Sequence, residues 1–358
     1  MQGNLPEPVE TIVMLLPFLS AMLRVLPLSF YLRVFRGKVT ALFYHAVGDR
    51  LFPHVQHLFR PFSADEFEGH LCFLKGHYRF IDYAELVHYC ATGSPLPPGV
   101  LHLSFDDGYS ECHSVVRPLL LKHRIPCVFF ISSDWIDNKR MFYRNKVSLL
   151  IERLIEMERE GRGEEGLMCL SRVLSRKVRE IHSAKKFLLR LTWADEQVID
   201  CLGKGLQVDF PGFLQDRRPY LSVEQIRQMV SEGFVIGAHG RSHAPLSQLD
   251  FEAAKTEMID SVRIVREVSG AQEIPFSFPF SSRGLDLDRV WSIRRNNPFL
   301  GLFFDSGGVE IEKSCVVKRV WAEADRNGDV PPAASLPQTL QQAYVRAAEN
   351  FFRLHGVR

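Results

Sequence analysis

From residue 38 onward the chain repeats one pattern that limits its fold more than any other feature: short, near-continuous apolar runs separated by amphipathic stretches. The runs cover residues 39–47, 100–105, 126–132, 233–239, 275–280, 300–304 and 315–320. A strand with one face in water alternates apolar and polar residues. These runs do not, so both faces must be covered, as in parallel strands flanked by helices. Between them, FSADEFEGHLCFLKGH places a serine at an N-cap and Phe67, Leu71 and Leu74 at helical spacing. Strands alternating with helices predict an α/β layered or barrel architecture.

Residues 137–216 break the pattern. They are rich in Glu, Arg and Lys along IERLIEMEREGRGEEG and SRKVREIHSAKKFLLRL, and read as a helical insertion with solvated charged faces, substrate choice or partner binding being the alternative role. The expected organisation is an apolar helical segment at 1–37, a barrel at 38–322, and a linker with Pro331, Pro332 and Pro337 leading to an amphipathic C-terminal helix at 323–358. A net charge of +2 makes no case for nucleic acid. Seven cysteines without CxxC spacing argue against a disulfide framework or structural zinc and fit a reducing compartment. The start, MQGNLPEPVE, lacks the positive charge of a secretory signal. The uncharged run at 11–23 is about 13 residues, short of a membrane span, and is followed by Arg24. Residues 11–32 are therefore expected to lie at a membrane surface or against the protein, with a core helix or a true span as alternatives. The expected location is the cytoplasm, with membrane association through this segment.

The run at 100–105 ends in SFDDG. Burying Asp106 and Asp107 side by side costs free energy unless a cation or proton compensates, and Gly108 lets the chain turn sharply. An isolated DDG is accounted for by a polar strand end or a helix cap. A second element shifts that balance. In VIGAHGRSHAPLSQL, His239 and His243 lie four apart after another apolar run, which brings two imidazoles to one side of a helical turn or tight loop. HxxxH alone is weak in a chain with 13 histidines. Paired with DD at another strand tip, where parallel α/β folds gather their active sites, it is much stronger. Two His and one carboxylate form an open set for zinc or a related divalent ion. One aspartate then binds the metal, and the other is free to take a proton from water.

With LFYHAVGDR, FSADEFEGHLCFLKGHYRFIDYAELV, PYLSVEQIRQMVSEGFVIGAH, FSFPFS and VVKRVW around them, these motifs make the chain resemble the polysaccharide deacetylases with a NodB-homology domain, over roughly residues 38–322. The resemblance implies a distorted (β/α) barrel with fewer strands than a full TIM barrel. It also implies a hydrolase that removes an acetyl group, with a metal, from an N-acetylated, less often O-acetylated, sugar. By position it makes Asp106 the general base. Asp107, His239 and His243 become ligands of a divalent metal: zinc, with cobalt or nickel as alternatives. The Phe280 N–H, after Pro279, becomes an oxyanion donor.

Two departures stand out. The arginine that orients the base in the family's third motif is Ser277 here, with Arg319 or Arg283 as substitutes. No late Leu-x-Leu-His supplies the acid. Tyr44-His45 matches the Tyr-His motif of the subgroup with permuted motif order, which makes His45 the acid that protonates the leaving amine. Asp305, at another strand end, is expected to line the site or form a turn, and Trp135 and Trp321 to pack or to stack on a sugar. His70, His77, His102, His113 and His123 are expected to be structural. The expected substrate is an N-acetylated carbohydrate, such as a lipid- or nucleotide-linked intermediate of bacterial surface-polysaccharide assembly. The alternatives are a deformylase or other amide hydrolase, and a catalytically inactive carbohydrate-binding protein. The intact Asp106, Asp107, His239 and His243 speak against the last.

Overall fold

The computed structural model describes residues 22–94, 96–309, 316–323 and 336–355. Residues 11–21, Cys315 and the linker prolines Pro331 and Pro332 lie outside them. The strands are β1 (Val39–Tyr44), β2 (Arg79–Phe80), β3 (Val100–Phe105), β4 (Val128–Ile131), β5 (Val235–Ala238), β6 (Ile274–Ser277), β7 (Leu300–Ser306) and β8 (Val316–Trp321). Their order is β1-β8-β7-β6-β5-β4-β3, and β1 also pairs with β3, which closes a seven-stranded parallel barrel. The two-residue β2 hangs on β3 outside the ring.

Period-two alternation divides each strand between two cores. Val39, Ala41, Val128, Phe130, Leu302, Phe304 and Val317 pack together inside the barrel. Their neighbours Leu42, Leu103, Phe129, Ile236, Phe276 and Phe303 face the surrounding helices. Every residue of β1, β3, β4 and β6 is buried, which is why these runs lack polar alternation. Gly237 is fixed by this packing. A Cβ there would lie 2.4 Å from the Phe130 ring and 3.0 Å from the Pro275 carbonyl. The helix Ala64–His77 starts with a capping box between Ser63 and Glu66 and buries Phe67, Leu71 and Leu74.

The stretch expected to be a helical insertion holds the α-helices Tyr143–Arg159, Gly163–Val173, Ile181–Leu188, Glu196–Gly205 and Phe210–Arg217 between β4 and β5. They enclose their own core of Leu150, Leu154, Leu170, Leu188, Ile199 and Leu202, which continues into Phe52, Val55 and Phe59 of the loop after β1. The insertion therefore covers the end of the barrel where that loop emerges.

Near the N-terminus, the helix Leu28–Val34 packs on the C-terminal helix Leu336–His355, with Tyr31 stacked on Tyr344 at 5.6 Å. Met22, Val25, Phe30 and Val34 remain exposed. Among the described residues no helix is long and apolar enough to cross a membrane. The six described cysteines are free thiols.

Candidate active site

The C-terminal strand ends surround a cavity of about 290 Å³. His45 follows β1, Asp106 and Asp107 follow β3, His239 and His243 follow β5, and Phe280 follows β6, while Arg319 and Trp321 come from β8. Residues far apart in sequence meet because neighbouring parallel strands end together.

Asp107, His239 and His243 each place a ligating atom within 4.8 Å of the other two. Asp107 Oδ1 lies 3.3 Å from His243 Nε2 and 3.7 Å from His239 Nε2. The two Nε2 atoms are 3.1 Å apart. A tetrahedral ion with bonds of 2.0–2.2 Å separates its ligands by about 3.4 Å, so the triangle has the right size. The donor chemistry fits as well. His239 Nδ1 donates to the Ser277 carbonyl at 2.8 Å, which leaves Nε2 a bare lone pair toward the site. Among the described residues Asp107 Oδ1 is buried with no hydrogen-bond partner, an arrangement that calls for a cation. The His243 ring is held by aromatics, with Trp135 stacked at 5.7 Å and Phe142 and Phe280 at 4.6 and 4.7 Å. Burial pushes the His239 imidazole down to about 4, so it stays neutral. Burial raises the Asp107 carboxyl, but the neighbouring imidazoles outweigh it and hold the group well below the carboxylate range.

The local backbone explains the motif. Gly108 has φ 72°, and a Cβ there would meet Ile131 Cγ2 at 2.7 Å, so only glycine fits. The histidine pair sits in a loop rather than a helix, and His243 itself has φ 59°. Asp107 at 73° and Phe280 at 60° are also left-handed. Each such residue costs about 1–2 kcal/mol, and three of them line one cavity.

Asp106 is held differently. The Arg319 guanidinium grips it with two bonds of 2.7 Å, Nη1 to Oδ1 and Nη2 to Oδ2. Arg319 also donates to the hydroxyls of Ser104 and Ser277 at 3.0 and 2.6 Å. It lies inside the barrel, with the Phe43 ring 4.3 Å and the Phe130 ring 5.1 Å from its guanidinium carbon. Burial raises the Asp106 carboxyl, yet Arg319, with His239 and His45, holds it below the ordinary value. Arg319, not Arg283, thus holds Asp106, and Ser277 joins it by a hydroxyl.

His45 hydrogen-bonds through Nδ1 to Glu323 Oε2 at 2.7 Å. Glu323 is otherwise occupied by the His45 and Ala46 N–H groups and the Trp321 indole. Burial lowers the His45 imidazole, but Glu323 outweighs it and raises the group to about 9. The ring stacks on Phe59 at 5.0 Å. Glu323 was missed in the sequence; a carboxylate two residues past a strand-tip tryptophan is too common a pattern to single out.

The remaining expectations divide. Phe280 lines the cavity, and its N–H donates to no group among the described residues. Pro279 does not line the cavity; its ring packs toward Gly240. Asp305 is not a cavity residue either. Its carboxylate accepts from the Ser282 N–H and hydroxyl, the Ser306 N–H and Lys318 Nζ, so it anchors the loop carrying Phe280 while Ser306 lines the cavity. Trp135 is fully buried against His243, whereas Trp321 faces the cavity. Arg283 lies exposed.

The profile of the family described as polysaccharide deacetylase matches residues 93–168 and 189–298, more than half the chain. The chain belongs to the polysaccharide deacetylase family. It is thereby placed among hydrolases that act on carbon–nitrogen bonds. The gap in the match falls within the insertion, and Asp106, Asp107, His239, His243 and Phe280 lie in the matched parts. Structural neighbours share the fold of this deacetylase. A Streptococcus pyogenes deacetylase, PplD, solved with acetate, aligns at TM-score 0.54 and 15% identity over 86% of this chain and 99% of its own. IcaB from Ammonifex degensii aligns at 0.52 and 19% over 86% and 97%. A polysaccharide deacetylase from Bacillus cereus aligns at 0.50 and 14% over 87% and 70%. No curated protein sequence matches the chain.

Proposed function

We propose that this family member is a metal-dependent N-deacetylase that hydrolyses the acetamide of an N-acetylated sugar to acetate and a free amine. The observation that carries the reading is the convergence of Asp107, His239 and His243 within 4.8 Å, beside an ionised Asp106. A divalent cation held by these three residues, zinc first and cobalt or nickel as alternatives, supplies Lewis acidity and lowers the pKa of water toward about 7. Asp106 takes the proton from the attacking water, with Arg319 fixing the plane of its carboxylate. The Phe280 N–H donates to the carbonyl oxygen as negative charge gathers there. His45, kept protonated at neutral pH by Glu323, gives its proton to the amine nitrogen as the C–N bond breaks. Phe43, Phe59 and Trp321 offer apolar faces to the sugar ring.

Catalysis is assigned to the barrel, residues 38–322. Peripheral membrane contact through residues 11–32 is part of this reading, supported by the exposed Met22, Val25 and Phe30. Fractionation of the full chain with and without those residues tests it.

The central test pairs metal analysis with acetate release from an N-acetylglucosamine oligomer. Wild type and Asp106→Asn should both retain the ion. Only wild type should release acetate, losing this on chelation and regaining it with zinc. An Asp106→Asn chain as active as wild type, or full activity after chelation, would overturn the proposal.

A further inference from the structure

The catalytic cavity adjoins a second groove of about 360 Å³. Its walls come from the insertion, from residues 245–248 after His243, and from residues 280–283 after β6. Arg144 and Phe280 line both spaces, so the two lie side by side. Three arginines, Arg144, Arg190 and Arg283, line the groove, and among the described residues no Asp or Glu does. Among the described residues none of the three is ion-paired, and the recorded partner of Arg144 is the Phe280 ring at 5.7 Å. The carboxylates nearest in sequence are occupied: Asp286 accepts from the Arg289 N–H, and Asp195 from the Thr192 N–H and hydroxyl. Like charges gathered around one concave surface repel one another until an anion compensates them.

We propose that this groove binds a phosphate group carried by the substrate, so that the sugar deacetylated in the cavity is a glycosyl phosphate. The proposal rests on the deacetylase reading. A phosphate or diphosphate stays anionic across the working pH range and offers its oxygens to paired guanidinium donors. The hydroxyls of Ser247 and Ser281 add neutral donors around it. The phosphate could come from a nucleotide or from a polyprenyl carrier, and the chemistry recognised is the same.

The test measures binding apart from turnover. The metal-loaded Asp106→Asn chain is titrated by calorimetry with UDP-N-acetylglucosamine, with a short-chain polyprenyl-phosphate N-acetylglucosamine in micelles, and with neutral N-acetylglucosamine pentamer. At least one phosphate probe should bind about tenfold or more tighter than the pentamer, and the probe that does so identifies the carrier. Adding R190Q/R283Q should cut that preference to about threefold or less. Raising salt from about 50 to 500 mM should cut it too, in a chain whose fold is untouched. No preference for either phosphate probe, or a preference that survives both the substitutions and the salt, overturns the proposal. Acetate release by wild type is scored separately. Its failure on every probe overturns the deacetylase reading and leaves the binding result to stand alone.

Discussion

Inside the barrel, Asp106, His239 and Arg319 are buried among Phe43, Phe130 and Phe304, whereas the insertion buries mainly aliphatic side chains and turns its charges outward. Arg140, for example, pairs with Glu196 on its surface. The barrel keeps the Asp106 charge beside the counter-charge of Arg319. The insertion folds on an apolar core and reaches the site through few residues. Trp135, just before its helices, and Phe142 hold His243, Asn145 reaches the Tyr109 hydroxyl at 3.1 Å, and Arg144 lies over Phe280. Chemistry and stability are therefore coupled in the barrel and nearly separable in the insertion.

Substitutions can break or sharpen this contrast. The largest effect is expected at Asp106. Asp106→Asn should lower acetate release by about 10³-fold or more, read by initial rates at saturating metal. Arg319→Met comes next. It leaves a buried carboxylate without its partner, so urea unfolding should show a loss of about 3–5 kcal/mol together with lost activity. A stable, active Arg319→Met chain would break the coupling argued for the barrel.

The His45–Glu323 pair gives a smaller, pH-dependent effect. The folded-state value of about 9 exceeds the ordinary 6.5, so the pair stabilises fully below about pH 6.5 and loses this as pH rises through 9. Acetate release should fall on the same alkaline limb as His45 loses its proton. In Glu323→Gln that limb should move to lower pH, and a pH–rate profile decides it. In the insertion, Asn145→Ala removes donors to Tyr109 and to the His54 carbonyl. It should cost about 1–3 kcal/mol in thermal unfolding while the metal stays bound. The smallest effect belongs to the charged face. Glu196→Gln should change stability by about 0.5 kcal/mol or less, and a larger change would erase the distinction drawn here.

Much of this was readable along the chain. Unbroken apolar runs marked buried parallel strands, and Ser63 with Glu66 marked a helix start. SFDDG and HGRSH marked two strand tips whose Asp107, His239 and His243 come together. Asp305 stayed open between two readings, because a carboxylate at a strand end looks the same whether it faces a cavity or ties down a loop. Glu323 gave no signal, and His45, Arg319 and Glu323 all lie outside the stretch that the family profile matches.

By itself the sequence determined the strand and helix pattern, the glycine turn after two aspartates and the pair of histidines, because periodicity, capping and turn geometry act between near neighbours. Tertiary structure decided which charge answers which. Asp106 finds Arg319 across the closed barrel, 213 residues away in sequence, and His45 finds Glu323 at a distance of 278. Which strand ends stand side by side is settled only when the sheet closes on itself, and a buried charge is tolerated only beside the partner that closure delivers.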